Sequence, residues 1–369
     1  MEAASHLVCT FRALQSRCCT TIAVLPGPAA RPDPVDSDHH DRPACIAGQG
    51  RSSHVGGQPV STPYGKPWLS MHDQAELLES RGLVGARSRI DDLAHFGYYR
   101  LSGYWYPFRA LSPDGERLDH FFEGTTFDDV LAIHHFDTEL RDTVWRCISH
   151  IELHLRVAVG YELGRLGSFA HLDRAVLDER TANQKFDQFR KSLANLQARS
   201  KEDFVQHHER HYEGQMPVWV ATEIMQLGQL VTLYEMTPFE CRAAIADHFG
   251  ARADELRSWL KAINIVRNVV AHHGRLWNRA IGMKPQLNRR KQDPLLDHAR
   301  ASVDRVYGTL AVIAYLLRHD DRHDLVGQLR HSVEQFPSIR TLSPDMMMLP
   351  ENWQDLPLWS APPTLISLR

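Results

Sequence analysis

Residues 267–279 read Arg267-Asn268-Val269-Val270-Ala271-His272-His273-Gly274-Arg275-Leu276-Trp277-Asn278-Arg279. Just upstream, Leu256, Trp259, Leu260, Ile263, Val266 and Val270 recur at three-and-four spacing, which predicts an amphipathic helix running from Asp254 into this stretch. The other side carries Arg257, Lys261, Asn264, Asn268, His272 and Arg275 at the same spacing. Asn268 and His272 are thereby expected to be neighbours on one helical face. Arg267 falls in line with Leu260, Ile263 and Val270, where a charge needs a partner because burying it unpaired is very costly. Most polar helix faces only meet water, with an occasional snorkelling Arg. This face is denser in His, Asn and Arg than solvation requires, and it lacks the Glu/Lys mixture of such faces.

The totals bound the answer. A chain of 369 residues holds one large domain or two ordinary ones, and an apolar fraction of 43% is enough for a sizeable core. A formal net charge of −3 gives no global basic signature, so any nucleic-acid site must be a local patch. Cys9, Cys18, Cys19, Cys45, Cys147 and Cys241 include no CxxC pair, so neither a disulfide framework nor a zinc site is expected, and a reducing, cytoplasmic compartment fits. No apolar run reaches the length of a membrane span, so no membrane partner is expected. Walker, GxGxxG and G-x-S-x-G patterns are missing, which disfavours nucleotide hydrolysis, dinucleotide binding and serine hydrolysis.

Along the chain, residues 1–63 are rich in Pro, Gly, Ser, Asp and His and are expected to be disordered. Residues 64–320 are expected to form a helical domain, and 321–369 a short helix with a Pro-rich tail. Ser70 with Asp73, and Thr126 with Asp129, read as capping boxes. The first predicts a helix over about 70–81; a second is expected over about 87–96. The second box opens an apolar pattern from Ile133 through Phe136, Leu140, Val144, Ile148, Ile151, Leu155, Val159 and Leu163 to Leu166, one long helix or two abutting ones. Glu152 and Arg156 border that stripe and read as an i,i+4 ion pair, with orientation of Arg267 or of a phosphate as the alternative. Further helices are expected from Pro217 through Leu233, over about 238–249 and over about 294–319. No alternation of a strand stands out, so the class is all-α, a helical bundle.

Residues 96–109, FGYYRLSGYWYPFR, hold seven aromatics and two arginines. Such interleaving plugs a core between helices; it can also stack and clamp single-stranded RNA, which would engage Tyr99 and Arg100.

Three blocks resemble a known family. RNVVAHHGRLWNR resembles the C-terminal signature of abortive-infection proteins of the AbiD/AbiF type, and Arg267 with His272 resembles the R-x4-H motif of HEPN ribonucleases. GYYRLSGYWYPFR resembles the family's N-terminal signature and PVWVATEIMQLGQL a third block; Leu227 stands where many members have Phe. The resemblance spans about residues 64–320. It implies a HEPN-like bundle of long antiparallel helices and a bacterial phage-defence protein that cleaves RNA without metal. It also implies a homodimer with a composite site, and an inhibitory RNA or antitoxin partner.

The residues fit that chemistry. Cleavage requires a base for the 2′-hydroxyl, a cation for the phosphorane and an acid for the leaving 5′-oxygen. His272 suits the proton steps, Arg267 offers donors matched to phosphate, and Asn268 can bond either. An ideal helix sets Arg267 and His272 about 140° apart, so the pair must act by an Arg swing or in trans. Two copies in a symmetric dimer would supply two His. His273, Glu152, Arg156 and Asn264 are expected in supporting positions, and Arg275, Arg279, Tyr99 and Arg100 on RNA. Adjacent histidines point to different sides of a helix and no acid lies in the stretch, so no metal or other cofactor is expected. The rival reading is an RNA-binding scaffold of a defence or toxin–antitoxin system, which uses Arg267, Arg275, Arg279 and the run Asn288-Arg289-Arg290-Lys291 without cleaving.

Overall fold

The long apolar pattern folds as one uninterrupted helix, α4 (Phe127–Gly164). Its 38 residues span about 57 Å at 1.5 Å per residue. Thr126 and Asp129 close the capping box that starts it, each side chain bonding the other's backbone N–H. The computed structural model describes residues 65–287 and 293–360. The predicted disorder of 1–63 and the basic run at 288–291 lie outside the described residues, apart from its flanks.

Before α4 come α1 (Met71–Ser80), capped by Ser70 and Asp73, then α2 (Ile90–Phe96) and α3 (Tyr98–Trp105). The aromatic block is therefore mostly a helix. Tyr104, Trp105 and Phe108 are buried, whereas Tyr99 and Tyr106 face solvent. A hairpin of β1 (Arg109–Leu111) and β2 (Arg117–Phe121) follows, antiparallel with Arg109 opposite Phe121. This hairpin is the small exception in a chain that is otherwise helical, and its runs of three and five residues are too short to show a period in the sequence.

After α4 the chain forms α5 (Glu179–Arg199), α6 (Asp203–His211), α7 (Val218–Ile224), α8 (Leu227–Met236), α9 (Phe239–Asp247), α10 (Ala253–Ala271), α11 (Val306–His319) and α12 (His323–Glu334). The single helix expected from Pro217 is two, α7 and α8, broken at Met225-Gln226. Gln226 caps α8 together with Gln229, and Arg156 Nη2 donates to the Met225 carbonyl freed by the break, at 2.9 Å. The helix expected from 294 begins only at Val306. Gly308 lets the preceding turn press against it: a Cβ there would sit 2.5 Å from the Ser302 carbonyl oxygen.

Helix α4 is the spine. Along it, Asp137 meets Leu276 and Trp277, and Trp145 meets Arg267, so α10 runs antiparallel to it. Phe136 meets Phe336, Cys147 meets Leu325 and His150 meets Asp320, so α12 does the same. Helix α11 is buried along almost its whole length. The tail docks on it: Trp359 Nε1 donates to Tyr307 Oη at 3.0 Å, and Arg318 donates to the carbonyls of Leu358 and Ser360. Among the described residues no helix is long and apolar enough to cross a membrane.

Two core histidines couple the fold to pH. Burial pushes His134 and His171 each down to about 4, with Arg141 adding to the effect on His134. Both are neutral when folded, and the unfolded chain binds their protons first, below about 6.5. Their contribution to stability is complete above about pH 6.5 and is lost as pH falls through about 4. Urea unfolding followed from pH 7.5 to 4.5 should show stability falling by up to roughly 1.4 kcal/mol per pH unit per histidine. His171→Leu should flatten that slope. A wild-type slope of zero between pH 6.5 and 5 would contradict the assignment.

Candidate functional site

Helix α10 ends sooner than its polar stripe implies. Its last residue is Ala271; His272 is the C-cap and His273 follows at φ +54°. Gly274 N donates to Val269 O and His273 N to Val270 O, the paired bonds of a Schellman turn. The left-handed position of that turn is held by His273, where glycine is usual and an L-residue costs about 1–2 kcal/mol. Gly274 serves the close approach behind it, since a Cβ there would lie 3.2 Å from the Val269 carbonyl oxygen. The expected place of His272 is inside the helix on the face of Asn268; it stands instead at the C-cap. What joins it to Asn268 is the last i→i−4 backbone bond, His272 N to Asn268 O at 3.1 Å.

The turn is fixed from below by Asp137 of α4, whose side chain is wholly buried. Its carboxylate accepts from Leu276 N at 3.0 Å, Trp277 N at 2.7 Å, Tyr104 Oη at 2.8 Å and Arg141 Nη1 at 2.5 Å. Arg141 also donates to Tyr104 Oη at 3.0 Å. Burial pushes the carboxyl above the usual carboxylate range, and Arg141, Tyr104 and the two amides pull it back. Every neighbour is a donor, a set that only the ionised form satisfies. Burial and the adjacent Asp137 together push the Tyr104 hydroxyl up.

Helix α3 closes over the same turn. Arg100 Nη1 donates to the His273 carbonyl at 2.9 Å, and Arg275 Nη1 donates to the Gly103 carbonyl. Two sequence blocks about 170 residues apart are thereby in contact. Arg275 is half-buried and serves as a tether, while Arg279 is exposed and, among the described residues, reaches only the Arg275 carbonyl, at 3.4 Å. Tyr99 is 91% exposed on the outer side of α3.

Arg267 is half-buried and lies over the Trp145 ring, 5.6 Å from its centroid. Its Nε is buried without a hydrogen-bond partner, and no carboxylate among the described residues pairs with it. The partner that its position requires is an aromatic face, so the full positive charge stays available to an anion. Asn268, His272 and His273, which follow it in the chain, are exposed. No hydrogen bond joins Arg267 to His272.

Glu152 does not reach this cluster. It holds Arg156 at 2.7 Å, and Arg156 holds Met225, the structural i,i+4 pair of the simpler reading. Asn264 lies one turn before Asn268 and packs against Gly228 of α8. Asp137, Tyr104, Arg141 and Trp145 are the residues that the sequence reading passed over. A signal existed: Asp137 and Arg141 are four apart inside the stripe of Ile133, Leu140 and Val144, where a charge needs a reason. Among the described residues, no three or more His, Cys, Asp or Glu are grouped to hold a metal ion.

A family model described as Abi-like protein matches residues 91–278, from α2 to the residue after Trp277. No curated protein and no solved structure matches the chain.

Asp137→Asn keeps the shape and an oxygen for the two amides, but it replaces the Oδ2 acceptor with a donor facing Arg141 and leaves that buried guanidinium without its counter-charge. Breaking a buried pair in this way is expected to cost about 3–5 kcal/mol in urea unfolding. Tyr99→Ala, on the exposed side of α3, should leave the midpoint unchanged. Equal midpoints for Asp137→Asn and wild type would contradict the role of this carboxylate.

Proposed function

Because the chain belongs to the Abi-like protein family, we propose that it is a bacterial phage-defence protein of the abortive-infection kind, acting as a metal-independent HEPN-type endoribonuclease. The observation that carries this reading is Arg267, a cation seated on Trp145 with no counter-ion among the described residues, in a stretch that also exposes Asn268, His272 and His273. A guanidinium so placed is suited to a phosphate of RNA.

In the proposed reaction a neutral imidazole takes the proton of the ribose 2′-hydroxyl, and the 2′-oxygen bonds to phosphorus. Arg267 balances the charge gathering on the non-bridging oxygens. The bond from phosphorus to the 5′-oxygen breaks, and an imidazolium protonates the leaving oxygen. The products are a 2′,3′-cyclic phosphate and a 5′-hydroxyl end. His272 carries the proton steps and Asn268 orients the phosphate or the imidazole. Arg279 and Tyr99 lie where flanking nucleotides would pass. An inhibitory RNA or antitoxin holds the enzyme off in healthy cells.

Two proton steps call for two imidazoles, hence a homodimer. In support, α4 presents exposed Leu153, Val157 and Tyr161 at four-residue spacing, with exposed Trp145 two such steps earlier across Ser149. This row continues into a groove lined by Gly160, Gly164 and Trp219. Four-spaced ridges are the surface that packs against a second helix. The position of the two-fold axis matters. An axis near Trp145 sets two Arg267 side by side, whereas an axis near Leu153 leaves them roughly 24 Å apart at 1.5 Å per residue. The composite site requires the first.

A non-catalytic RNA-binding scaffold is the second reading. It draws on the lack of any bond between Arg267 and His272 within one chain.

Incubating end-labelled RNAs with the protein in excess EDTA tests the first reading. Cleavage should fall by about 10²–10⁴-fold in His272→Ala and be lost in Arg267→Ala, with RNA binding kept in the histidine variant. RNA binding without cleavage by every form would move the conclusion to the scaffold. In sedimentation velocity, Trp145→Asp should turn a dimer into a monomer and abolish cleavage. A wild type that sediments as a monomer at micromolar concentration, yet cleaves, would overturn the composite site.

A further inference from the structure

Away from the Arg267 cluster, α5, the end of α8 and the first half of α10 enclose a cleft of about 550 Å³. Five cations line it, Arg180, Lys185, Arg242, Arg257 and Lys261, against two acids, Asp178 and Glu235. The volume is that of a small-molecule site, but the walls are polar and basic.

Its floor is a carboxylate strut. Glu235 is buried, with 7% of its side chain exposed, and grips Lys185 Nζ through Oε2 and Lys261 Nζ through Oε1, each at 2.5 Å. The two lysines hold the Glu235 carboxyl below its ordinary range against the upward pull of burial. One cation would neutralise this acid; two converge on it. Each ammonium has three N–H donors and gives one to Glu235, so two donors per lysine are left for the cleft. The acid thus fixes two ammonium groups a few ångströms apart.

The other charges divide cleanly. Asp178 is the N-cap of α5, accepting from Thr181 N at 3.0 Å. Arg242 donates to the carbonyls of Glu235 and Thr237 and closes the end of α8. Both are engaged in holding helix ends. Arg180 is exposed and has no hydrogen bond or ion pair among the described residues, and Arg257 has only exposed Asp254 at 3.5 Å. Four side chains therefore face one cleft with donors to spare and a net positive charge.

We propose that this cleft is a phosphate-binding site, in which Lys185, Lys261, Arg180 and Arg257 hold adjacent phosphate groups and Glu235 is the positioning residue. The ligand chemistry is a row of phosphates, supplied either by a free polyphosphate chain, as in a nucleoside triphosphate, or by an RNA backbone. The site stands apart from the proposed cleavage cluster. Lys261 precedes Arg267 by six residues, about 9 Å along α10 and on another side of it. The inference does not depend on whether the protein cleaves RNA.

Isothermal titration calorimetry on the full chain tests this, with inorganic triphosphate in one arm and a single-stranded RNA lacking terminal phosphates in the other. The proteins are wild type, the Arg180→Ala/Arg257→Ala double variant, Lys261→Gln, and Arg199→Ala as a control at the far end of α5. At low salt the wild type should bind in at least one arm. Affinity should drop about tenfold or more in the double variant and in Lys261→Gln, and stay unchanged in Arg199→Ala. Binding of triphosphate alone identifies a free polyphosphate, and binding of RNA alone identifies the backbone. Because Arg180 and Arg257 are exposed, the double variant should keep the wild-type melting temperature and is the decisive protein. No heat in either arm, or equal weakening by Arg199→Ala, would overturn the proposal.

Discussion

One carboxylate constrains the whole arrangement. Asp137 sits on α4 without solvent, and its four donors come from α3, from α4 and from the turn after α10. Compared with a well-packed apolar substitute, a buried ion pair of this kind gives little net stability. Its effect is on geometry: the backbone at Leu276 and Trp277 has one place where both amides are satisfied. That fixes where α10 must stop, where His272 and His273 emerge, and where α3 must lie to bring Tyr104 in. The family match begins in α2 and ends at Asn278, so the Asp137 contacts draw together segments near both ends of it.

From that anchor α10 carries positive charge at two levels. Toward its start, Arg257 and Lys261 face the cleft built on Glu235. At its end, Arg267 lies on Trp145 and has no counter-ion among the described residues. Helix α8 crosses between the two levels, with Gly228 against Asn264 and Glu235 against Lys261. The polar stripe of the sequence is therefore divided, and its residues answer to different neighbours. A near-neutral chain can in this way hold local positive sites that its net charge does not reveal.

The large elements were legible because their causes are local. The two capping boxes, the 38-residue apolar pattern of α4 and the Glu152–Arg156 pair are short-range features, and each is found where the spacing places it. What escaped depends on long-range contacts or on very short elements. The break between α7 and α8 needs Arg156, far away in sequence, to receive the Met225 carbonyl. The turn that ends α10 takes its left-handed residue from His273, although a glycine follows it. Asp137 and Arg141 interrupt the apolar stripe of α4, which marks them as unusual, but their donors from α3 and from the turn after α10 are visible only in the fold. The candidate site was half legible: the contact between the aromatic block and the histidine turn follows from neither block alone, and the seat of Arg267 on Trp145 needed the antiparallel register of α4 and α10.

The most direct test of this constraint is hydrogen exchange at the amides of Leu276 and Trp277, measured by NMR in the native protein. Both point into a buried carboxylate, so their protection should match the global unfolding free energy and fall together in Asp137→Asn. Exchange at the rate of an open surface loop in the wild type would contradict the account, since the turn would then be held by something other than Asp137.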